Sequence, residues 1–356
     1  MKKLIKTFKN KKVLITGFNG FKGTWLTLWI SLLGGRIYGV SLKSNDKFNH
    51  YNLVRKNLSV TEKYIDINNQ KKLISYIQKI KPDYIFHLAA QALVFKSIKD
   101  PLKNWQTNVI GFLNILTGLN KLKKKCVGVL ITSDKCYKNL NRRISYKETD
   151  ELGGLDPYSA SKASSEILFK SFFNTYVKDK NKYLKICTAR AGNVIGGGDW
   201  SEKRLVPDCM KKWLLNKAPE IRNPKATRPW QHVLEAVYGY LKLAQILNEN
   251  KKLNGESFNF SSNKIKNISV QHFLKKIKSK WPTIKWKIKS KNNFYESDLL
   301  QLNSSKAKKY LKWDANLNFN ETIELLVDWY KKFKKNKKKI FLTSIKQIEF
   351  YSSKLK

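Results

Sequence analysis

Residues 12–26 read KVLITGFNGFKGTWL, an apolar run that leads through a glycine-rich turn into a second apolar segment. The run KVLIT predicts a buried strand, and WLTLWISLL, apolar nearly all round, predicts a buried helix. Between them Gly17, Gly20 and Gly23 form the pattern G-x-x-G-x-x-G. Glycines between a strand and a helix let the backbone approach a pyrophosphate, which sits at the positive helix N-terminus. The stretch therefore predicts a dinucleotide-binding turn.

The alternation of strand and helix continues through the first half of the chain. Further strands are predicted at RIYGVSL, YIFHLAA, VGVLITS and LKICTAR. Helical spacing marks the segments between them: 69–80, 102–122 and 157 to about 176. This rhythm predicts an α/β fold, a Rossmann-type doubly wound parallel sheet.

The texture changes after Arg190, where glycine, proline and polar residues break up the pattern. We therefore expect a Rossmann domain over 1–190, joined by about 229–262, where a helix and a strand restore the pattern. A smaller, mainly C-terminal substrate-binding domain is expected over 191–228 and 263–335. The Lys-rich tail, 336–356, is expected to be an extra helix or partly disordered.

The composition is that of a folded but strongly basic protein. Of the 356 residues 42% are hydrophobic and 12% aromatic, enough for a sizeable core. The net charge is +45, yet only 8 of the 71 basic residues are arginine, the residue that nucleic-acid readers favour. The lysines are scattered, which favours solvated faces over a nucleic-acid site. The positive field would attract anionic small molecules.

Cellular location is predicted from the cysteines and the apolar runs. Four cysteines without a CxxC pair are too few for a disulfide scaffold and fit a reducing compartment. The basic N-terminus is followed by an apolar run too short for a signal peptide, and no other run approaches the ~20 residues of a membrane span. We therefore expect a soluble, cytoplasmic protein with no membrane partner and no nucleic-acid partner.

Several residues around the glycine turn are candidates to bind the dinucleotide. Those in or next to the turn and at the end of the YIFHLAA strand are Gly17, Asn19, Gly20, Phe21, Lys22, Gly23, Ala89, Ala90 and Gln91. Asp66 could bind an adenine amino group or simply cap a turn. At the end of the second strand an acidic residue would bind the ribose hydroxyls of NAD, but Ser41 and Lys43 occupy this place. The spacing therefore leaves open whether the cofactor is NAD or NADP. His87 is expected to be a buried, hydrogen-bonded strand residue.

An acid–base group is predicted from two motifs. In DPYSASK, Tyr158 and Lys162 are spaced i, i+4 on one helix face, and the ammonium together with a nicotinamide cation is expected to lower the tyrosine pKa. In TSDKCY, Ser133, Asp134 and Lys135 follow a buried strand, at the carboxyl edge where sites of such sheets lie. Ser133 is a candidate hydrogen-bond partner for a substrate hydroxyl. No metal site is expected.

Taken together, these motifs resemble the extended short-chain dehydrogenase/reductase superfamily. The stretches TGFNGFKGTWL, HLAAQALV, TSDKCY, GGLDPYSASK, RAGNVIGGGDW and RPWQHVLE resemble, more narrowly, the CDP-glucose 4,6-dehydratase family, from about residue 10 to 335. The resemblance implies an NAD-dependent lyase that acts on CDP-glucose as a homodimer, on a route to deoxy sugars of surface polysaccharides. Phe95 and Ile98 depart from the family's LVRxSY pattern, where arginine and tyrosine are expected.

The resemblance also implies roles for individual residues. Tyr158, aided by Lys162 and Ser133, would take the proton of the glucose 4-hydroxyl; Asp134 would be the acid at the 6-hydroxyl and Lys135 the base at C5. Related dTDP- and GDP-sugar dehydratases carry Asp-Glu where this chain has Asp-Lys, and epimerases lack the pair.

Substrate-binding positions implied for the second half of the chain are Asn193, Asp199, Trp200, Arg204, Arg228 and Trp230. A bidentate guanidinium suits a diphosphate, whereas either tryptophan could equally be a core residue. Two alternatives stay open: another nucleotide-sugar dehydratase or epimerase, and a non-catalytic dinucleotide- or nucleic-acid-binding protein.

Overall fold

The central element of the computed structural model is a seven-stranded sheet in which every pair of neighbours is parallel. The structure describes residues 1–140, 145–262, 265, 268–289 and 300–355. The strands of the sheet are β1 Lys12–Thr16, β2 Arg36–Ser41, β3 Val60–Tyr64, β4 Tyr84–His87, β5 Cys126–Ile131, β6 Leu184–Ala191 and β7 Ser257–Phe260. Their order is β3-β2-β1-β4-β5-β6-β7, which confirms the predicted doubly wound Rossmann-type fold.

The helices of the described chain connect these strands and build the C-terminal part. They are α1 Lys2–Phe8, α2 Phe21–Leu32, α3 His50–Val54, α4 Gln70–Ile80, α5 Val94–Lys99, α6 Pro101–Trp105, α7 Gly111–Asn120, α8 Pro157–Phe172, α9 Leu205–Leu214, α10 Val233–Glu249, α11 Val270–Lys280, α12 Ser305–Leu311, α13 Phe319–Lys335 and α14 Ile340–Ser353. The expected helix over 102–122 is instead α6, a π-helical turn over 106–110, and α7.

Local sequence accounts for where the key helices begin. The Asp156 carboxylate accepts a hydrogen bond from the Ser159 backbone N–H, and Pro157 occupies the first turn of α8. Gly20 precedes α2 with no side chain in the way, so the free N–H groups at its N-terminus face the turn. Asn318 and Glu321 form a capping box at the start of α13.

The second half adds short strand pairs beside the sheet edge. They join 194–195 with 231–232, 220–221 with 287–288, 227–228 with 268–269 and 145–146 with 301–302. The largest apolar cluster runs without a break from Trp25 and Trp29 on α2 through α10 to Trp329 on α13 and Tyr351 on α14. The two parts of the chain thus share one core, and the division into two domains stays a prediction.

The order of the strands places the site. The chain turns from β3 back across β1 to β4, so the carboxyl ends of β1 and β4 border the crevice where ligands of such sheets bind. The glycine turn follows β1, and Ala89 to Gln91 follow β4. In the parts of the chain that the structure describes, no helix combines the length and the apolar character needed to cross a bilayer.

Candidate active site

The glycine turn packs directly on the loop after β4. Gly17 has a φ of +72°, and a Cβ there would come within 2.8 Å of the Ala89 backbone nitrogen. A Cβ on Gly23 would overlap the carbonyl of Gly17. Glycine is required at both positions, so the N-terminus of α2 lies open towards the crevice in the manner of a pyrophosphate cradle.

The end of β2 borders the same crevice. The Asn19 side chain donates a hydrogen bond to the Leu42 carbonyl over 2.8 Å and so joins the turn to β2. The Ser41 hydroxyl is buried and has no hydrogen-bond partner among the described residues. Lys43 is exposed, and Asp66 is exposed with its carboxylate accepting from the Asn68 N–H over 2.9 Å. The capping role of Asp66 is thus visible in the structure.

The loop after β4 is held by hydrogen bonds on both sides. Ala89 N–H donates to the Thr16 hydroxyl over 3.3 Å, and Ala90 is half-buried beside it. The Gln91 N–H donates to the Asn108 side chain over 2.9 Å. His87, which bonds Thr16 over 2.7 Å, is buried, and burial lowers its pKa to about 3; the prediction of a buried strand histidine is confirmed.

The catalytic-loop candidates follow β5 in a short 3₁₀ turn. The Ser133 hydroxyl donates to Asp134 over 2.9 Å and accepts from the Lys135 N–H over 3.2 Å. Ser133 and Asp134 are buried and Lys135 is half-buried. A Cβ on Gly192 would overlap the Asp134 carboxylate, so the end of β6 sets the place of that carboxylate.

Tyr158 and Lys162 lie one turn apart on α8, both are buried, and α8 packs against the short turn that follows Ser133. The two motifs therefore meet in one site. Burial raises the pKa of Tyr158, and Ser133 and the Arg204 charge only partly oppose this rise. Burial, and then the Lys22 charge, lower the pKa of Lys162 to about 8.

The Lys22 side chain extends from the glycine turn towards the acid–base group. Burial, followed by the charge of Arg204, lowers its pKa to about 8, while the Asp134 and Asp199 carboxylates act to raise it. Its ammonium lies 3.5 Å from the hydroxyl of Tyr240 on α10. The structure thus brings Lys22, expected to bind only the cofactor, to the acid–base group; no local signal marks this, since the neighbours come from distant segments.

The segment GGGDWSEKR, residues 196–204, brings a carboxylate and a guanidinium to the same crevice. Asp199 is buried and accepts from Ser201 over 2.6 Å; Arg204, about two-fifths exposed, lies 3.8 Å from it. Arg204 also donates to the Ala92 carbonyl over 3.0 Å, which ties this segment to the loop after β4. Asn193 adopts a left-handed backbone with φ of +50° at the end of β6.

The remaining substrate candidates lie further along. Trp200 packs against the rings of Trp329 and Tyr330, and Trp230 stacks on Phe273 at 4.5 Å. Both indole N–H groups are buried without a hydrogen-bond partner in the described part of the chain. Arg228 is half-buried, and its guanidinium donates to the neighbouring Thr227 carbonyl over 2.9 Å. The structure thus shows a packing role for the two tryptophans and leaves their contact with a ligand a prediction.

Two supporting groups were not evident from the sequence. Asn108, in the π-helical turn, donates to the Gln91 carbonyl over 3.0 Å and to the Ser161 hydroxyl over 2.9 Å, and so links the loop after β4 to α8. Glu166 and Arg190 form a buried ion pair behind the catalytic loop. Among the described residues, no cluster of three or more His, Cys, Asp or Glu side chains is arranged to hold a metal ion.

Comparison with known proteins identifies relatives that span most of the chain. Residues 14–326 match the sequence profile of the family described as GDP-mannose 4,6 dehydratase. The chain is 35% identical to CDP-glucose 4,6-dehydratase of Salmonella typhimurium, over 91% of each protein. It is 25% identical to UDP-glucose 4-epimerase of Mycoplasma genitalium, over 90% of this chain and 97% of the relative.

Solved structures show the same fold. An epimerase of Methanothermobacter thermautotrophicus, Mth375, superposes with a TM-score of 0.80 at 22% identity and covers 95% of this chain and 97% of its own. dTDP-glucose 4,6-dehydratase of Bacillus anthracis, solved in complex with NAD, has a TM-score of 0.74 at 20% identity, over 90% of this chain and 97% of its own. At these sequence identities the structural similarity shows the fold alone.

Proposed function

The chain belongs to the GDP-mannose 4,6-dehydratase family, and we propose that it is a CDP-glucose 4,6-dehydratase, a lyase that converts CDP-D-glucose to CDP-4-keto-6-deoxy-D-glucose and water. The observation that carries the proposal is that the turn with the buried Asp134 and the adjacent Lys135 packs against the helix that bears the buried Tyr158 and Lys162. An epimerase needs only the tyrosine–lysine pair, whereas loss of water also needs an acid and a base for C6 and C5. The relative of 35% identity bears the CDP-glucose name.

The residues around the glycine turn fit NAD as the cofactor. The cradle at Gly17 and Gly23 has no room for a side chain, and the orphaned Ser41 hydroxyl offers a hydrogen bond where a ribose would lie. When bound, NAD would supply a reversible acceptor for the hydride of C4, so that the same hydride would be available to C6.

Each protein group has one task in this reaction. Tyr158, aided by Ser133 and on the same helix face as Lys162, takes the proton of the 4-hydroxyl as C4 becomes a ketone. The ketone acidifies the C5 proton, which Lys135 removes. Asp134 protonates the 6-hydroxyl, which leaves as water, and C5 is reprotonated at the end. The substrate diphosphate lies against Arg204 and Arg228, with Asn193, Asp199, Trp200 and Trp230 shaping its pocket.

We propose further that the enzyme is a homodimer, because one face carries unusual apolar exposure. The exposed side chains lie on α5, α6, the turn after α6, and α8, which are packed together: Ile98, Leu102, Trp105, Ile110 and Ile167. Between 37% and 67% of each of these side chains is exposed. Exposed apolar side chains on neighbouring helices are typical of an association surface, and a second copy of the chain is the partner that the family resemblance implies.

The proposed setting is the cytoplasm, in a route to deoxy sugars of surface polysaccharides such as O-antigen. The four cysteines are free and buried, which suits a reducing compartment. Nucleotide sugars are anionic, and the +45 net charge would raise the rate at which they meet the protein.

The test of the proposed function is a substrate panel. The purified protein is incubated with CDP-, dTDP-, UDP- or GDP-glucose, with and without added NAD, and the masses of the products are measured by mass spectrometry. The proposal predicts that CDP-glucose loses one water, and that it does so clearly faster than the other three nucleotide sugars. A C4 epimer of unchanged mass would favour the epimerase alternative, and turnover of another nucleotide sugar only would refute the CDP assignment.

A further inference from the structure

Behind the catalytic loop lies an ion pair that none of the proposed steps uses. Arg190, near the end of β6, donates to the Glu166 carboxylate over 2.7 Å, and the two side chains are 3% and 1% exposed. Burial opposes both charges, but each partner offsets this: the Arg190 pKa is raised and the Glu166 pKa is lowered. A buried ion pair is weak evidence for stability, because apolar residues of similar volume often serve as well. Its presence invites a second explanation.

The pair bonds both ends of the catalytic loop. At the start, the Thr132 hydroxyl donates to Glu166 over 2.5 Å. At the end, Arg190 donates to the Tyr137 hydroxyl over 2.6 Å, and its guanidinium lies 5.0 Å from the centre of that ring. Ser133, Asp134, Lys135 and Cys136 are the residues between these two attachments.

The pair also bonds the elements that carry the other reacting groups. Glu166 is one helical turn beyond Lys162 and two beyond Tyr158 on α8. Arg190 stands two residues before Gly192, against which the Asp134 carboxylate packs. Any shift of the pair would therefore move Asp134 and Lys135 relative to Tyr158 and Lys162.

We infer that Glu166 and Arg190 form a clamp that holds the groups for water elimination in register with the groups for C4 oxidation. This inference rests on the proposed function. Thr132 and Tyr137 are positioning residues in the clamp, since they act through the loop between them. Loosening the clamp should slow elimination more than oxidation, because Asp134 and Lys135 lie on the loop itself whereas Tyr158 and Lys162 lie on a regular helix.

The test compares Thr132→Val and Tyr137→Phe with Ser257→Ala. The first two each remove a hydroxyl that ties the loop to the clamp, whereas the Ser257 hydroxyl donates to Glu166 over 3.1 Å without touching the loop. Reactions with CDP-glucose are quenched within a turnover and treated with borodeuteride, which labels any ketone at C4. Mass spectrometry then separates labelled sugar that has kept the 6-hydroxyl from sugar that has lost water.

Both loop variants should raise the fraction of ketone that retains the 6-hydroxyl by about tenfold or more, since misplacement of reacting groups by about 1 Å can cost 10²-fold. Ser257→Ala should leave this fraction at the wild-type value. Equal slowing of both steps, or no difference from Ser257→Ala, would overturn the clamp.

A measurement on the protein without substrate separates the clamp from the proposed function. Amide hydrogen exchange over 132–137 should be faster in Thr132→Val and Tyr137→Phe than in wild type and in Ser257→Ala. If exchange there is unchanged, the clamp is wrong whatever the substrate. If exchange rises but wild type converts no nucleotide sugar, the clamp holds the loop and the proposed function is what fails.

Discussion

At the scale of single residues, the place of the Asp134 carboxylate depends on the absence of a side chain at Gly192. The two residues lie in different segments, the loop after β5 and the end of β6, so nothing local in the sequence connects them. A methyl group at residue 192 would overlap the carboxylate, which is the movable end of a side chain. The carboxylate, not the backbone, would give way.

Gly192→Ala should therefore impair turnover without unfolding the protein. We expect the rate of dehydration to fall by about 10²-fold, because the acid at the 6-hydroxyl is displaced, with little change in melting temperature. Steady-state kinetics and thermal denaturation check both parts. A variant with normal kcat would show that Asp134 is not held by this contact, and a variant that fails to fold would show that the backbone cannot adapt.

Replacement of Lys162 by an apolar residue should lower the activity of the protein and raise its stability. Burial holds its pKa at about 8 against 10.5 in an unfolded chain, so below pH about 8 the folded state carries a charge that burial disfavours. Lys162→Met should reduce turnover by 10²–10⁴-fold, yet add up to about 3 kcal/mol to the free energy of unfolding near neutral pH. The gain should shrink as pH rises from about 8 towards 10.5, where both states lose the proton.

Denaturant unfolding at a series of pH values checks this prediction. Lys170→Met, an exposed change on the same helix, is the matched control and should alter stability little at any pH. A gain for Lys162→Met that stays constant across the pH range would contradict the role assigned to the buried charge.

The residues that sequence alone could assign are those joined by short spacing. Tyr158 and Lys162 are one turn apart, and Ser133 to Lys135 are consecutive, so both patterns are visible in the order of the residues. Lys22 beside Tyr240, and Glu166 beside Arg190, meet only through tertiary packing. Burial also raises the pKa of Tyr158, an effect of the surroundings of the ring that the spacing of Tyr158 and Lys162 does not indicate.

At the scale of elements, the C-terminal helix α14 settles an alternative that the sequence left open. The lysine-rich sequence of the tail left helix and disorder as alternatives. The structure shows a helix that packs on α2, α3 and α13. Tyr351 donates to the buried Glu235 carboxylate over 2.5 Å, and Ser344 bonds His50 over 3.0 Å. The partners lie far away in sequence, so composition alone could not reveal them.

A pair of alanine variants tests the docking of α14. Ile348 is fully buried and Leu342 is 59% exposed on the same helix. Ile348→Ala should lower the free energy of unfolding by about 2–5 kcal/mol and Leu342→Ala by less than about 0.5 kcal/mol. Denaturant titration measures both. Equal, small losses would mean that α14 does not pack on the core in solution.

At the scale of the whole molecule, the sheet order and the crevice followed from the βα rhythm, since parallel strands joined by helices leave few arrangements. The shared core between the sheet and the C-terminal part did not, because it depends on long-range packing of aromatic rings such as Trp29 and Trp329. The oligomeric state also depends on contacts that the order of residues does not reveal. The sequence indicates a dimer only through a family resemblance, and the structure adds a set of exposed apolar side chains.

Leu102→Glu tests the assembly. Leu102 is 67% exposed on the proposed dimer face, and Leu215, 66% exposed at the end of α9, provides a matched control. Sedimentation should show wild type and Leu215→Glu at twice the mass of one chain and Leu102→Glu as a monomer, because a buried unpaired charge opposes association. Dimers of Leu102→Glu at the wild-type affinity would exclude this face.

The central claim is that one site removes hydrogen from C4, expels water across C5 and C6, and returns the same hydrogen to C6. The most direct measurement is conversion of CDP-glucose that carries deuterium at C4, with NAD present in amounts well below the substrate, followed by NMR of the product. The account predicts a 4-keto-6-deoxy sugar whose C6 methyl group carries the deuterium. Deuterium lost to solvent, or retained at C4 of an inverted sugar, would contradict it.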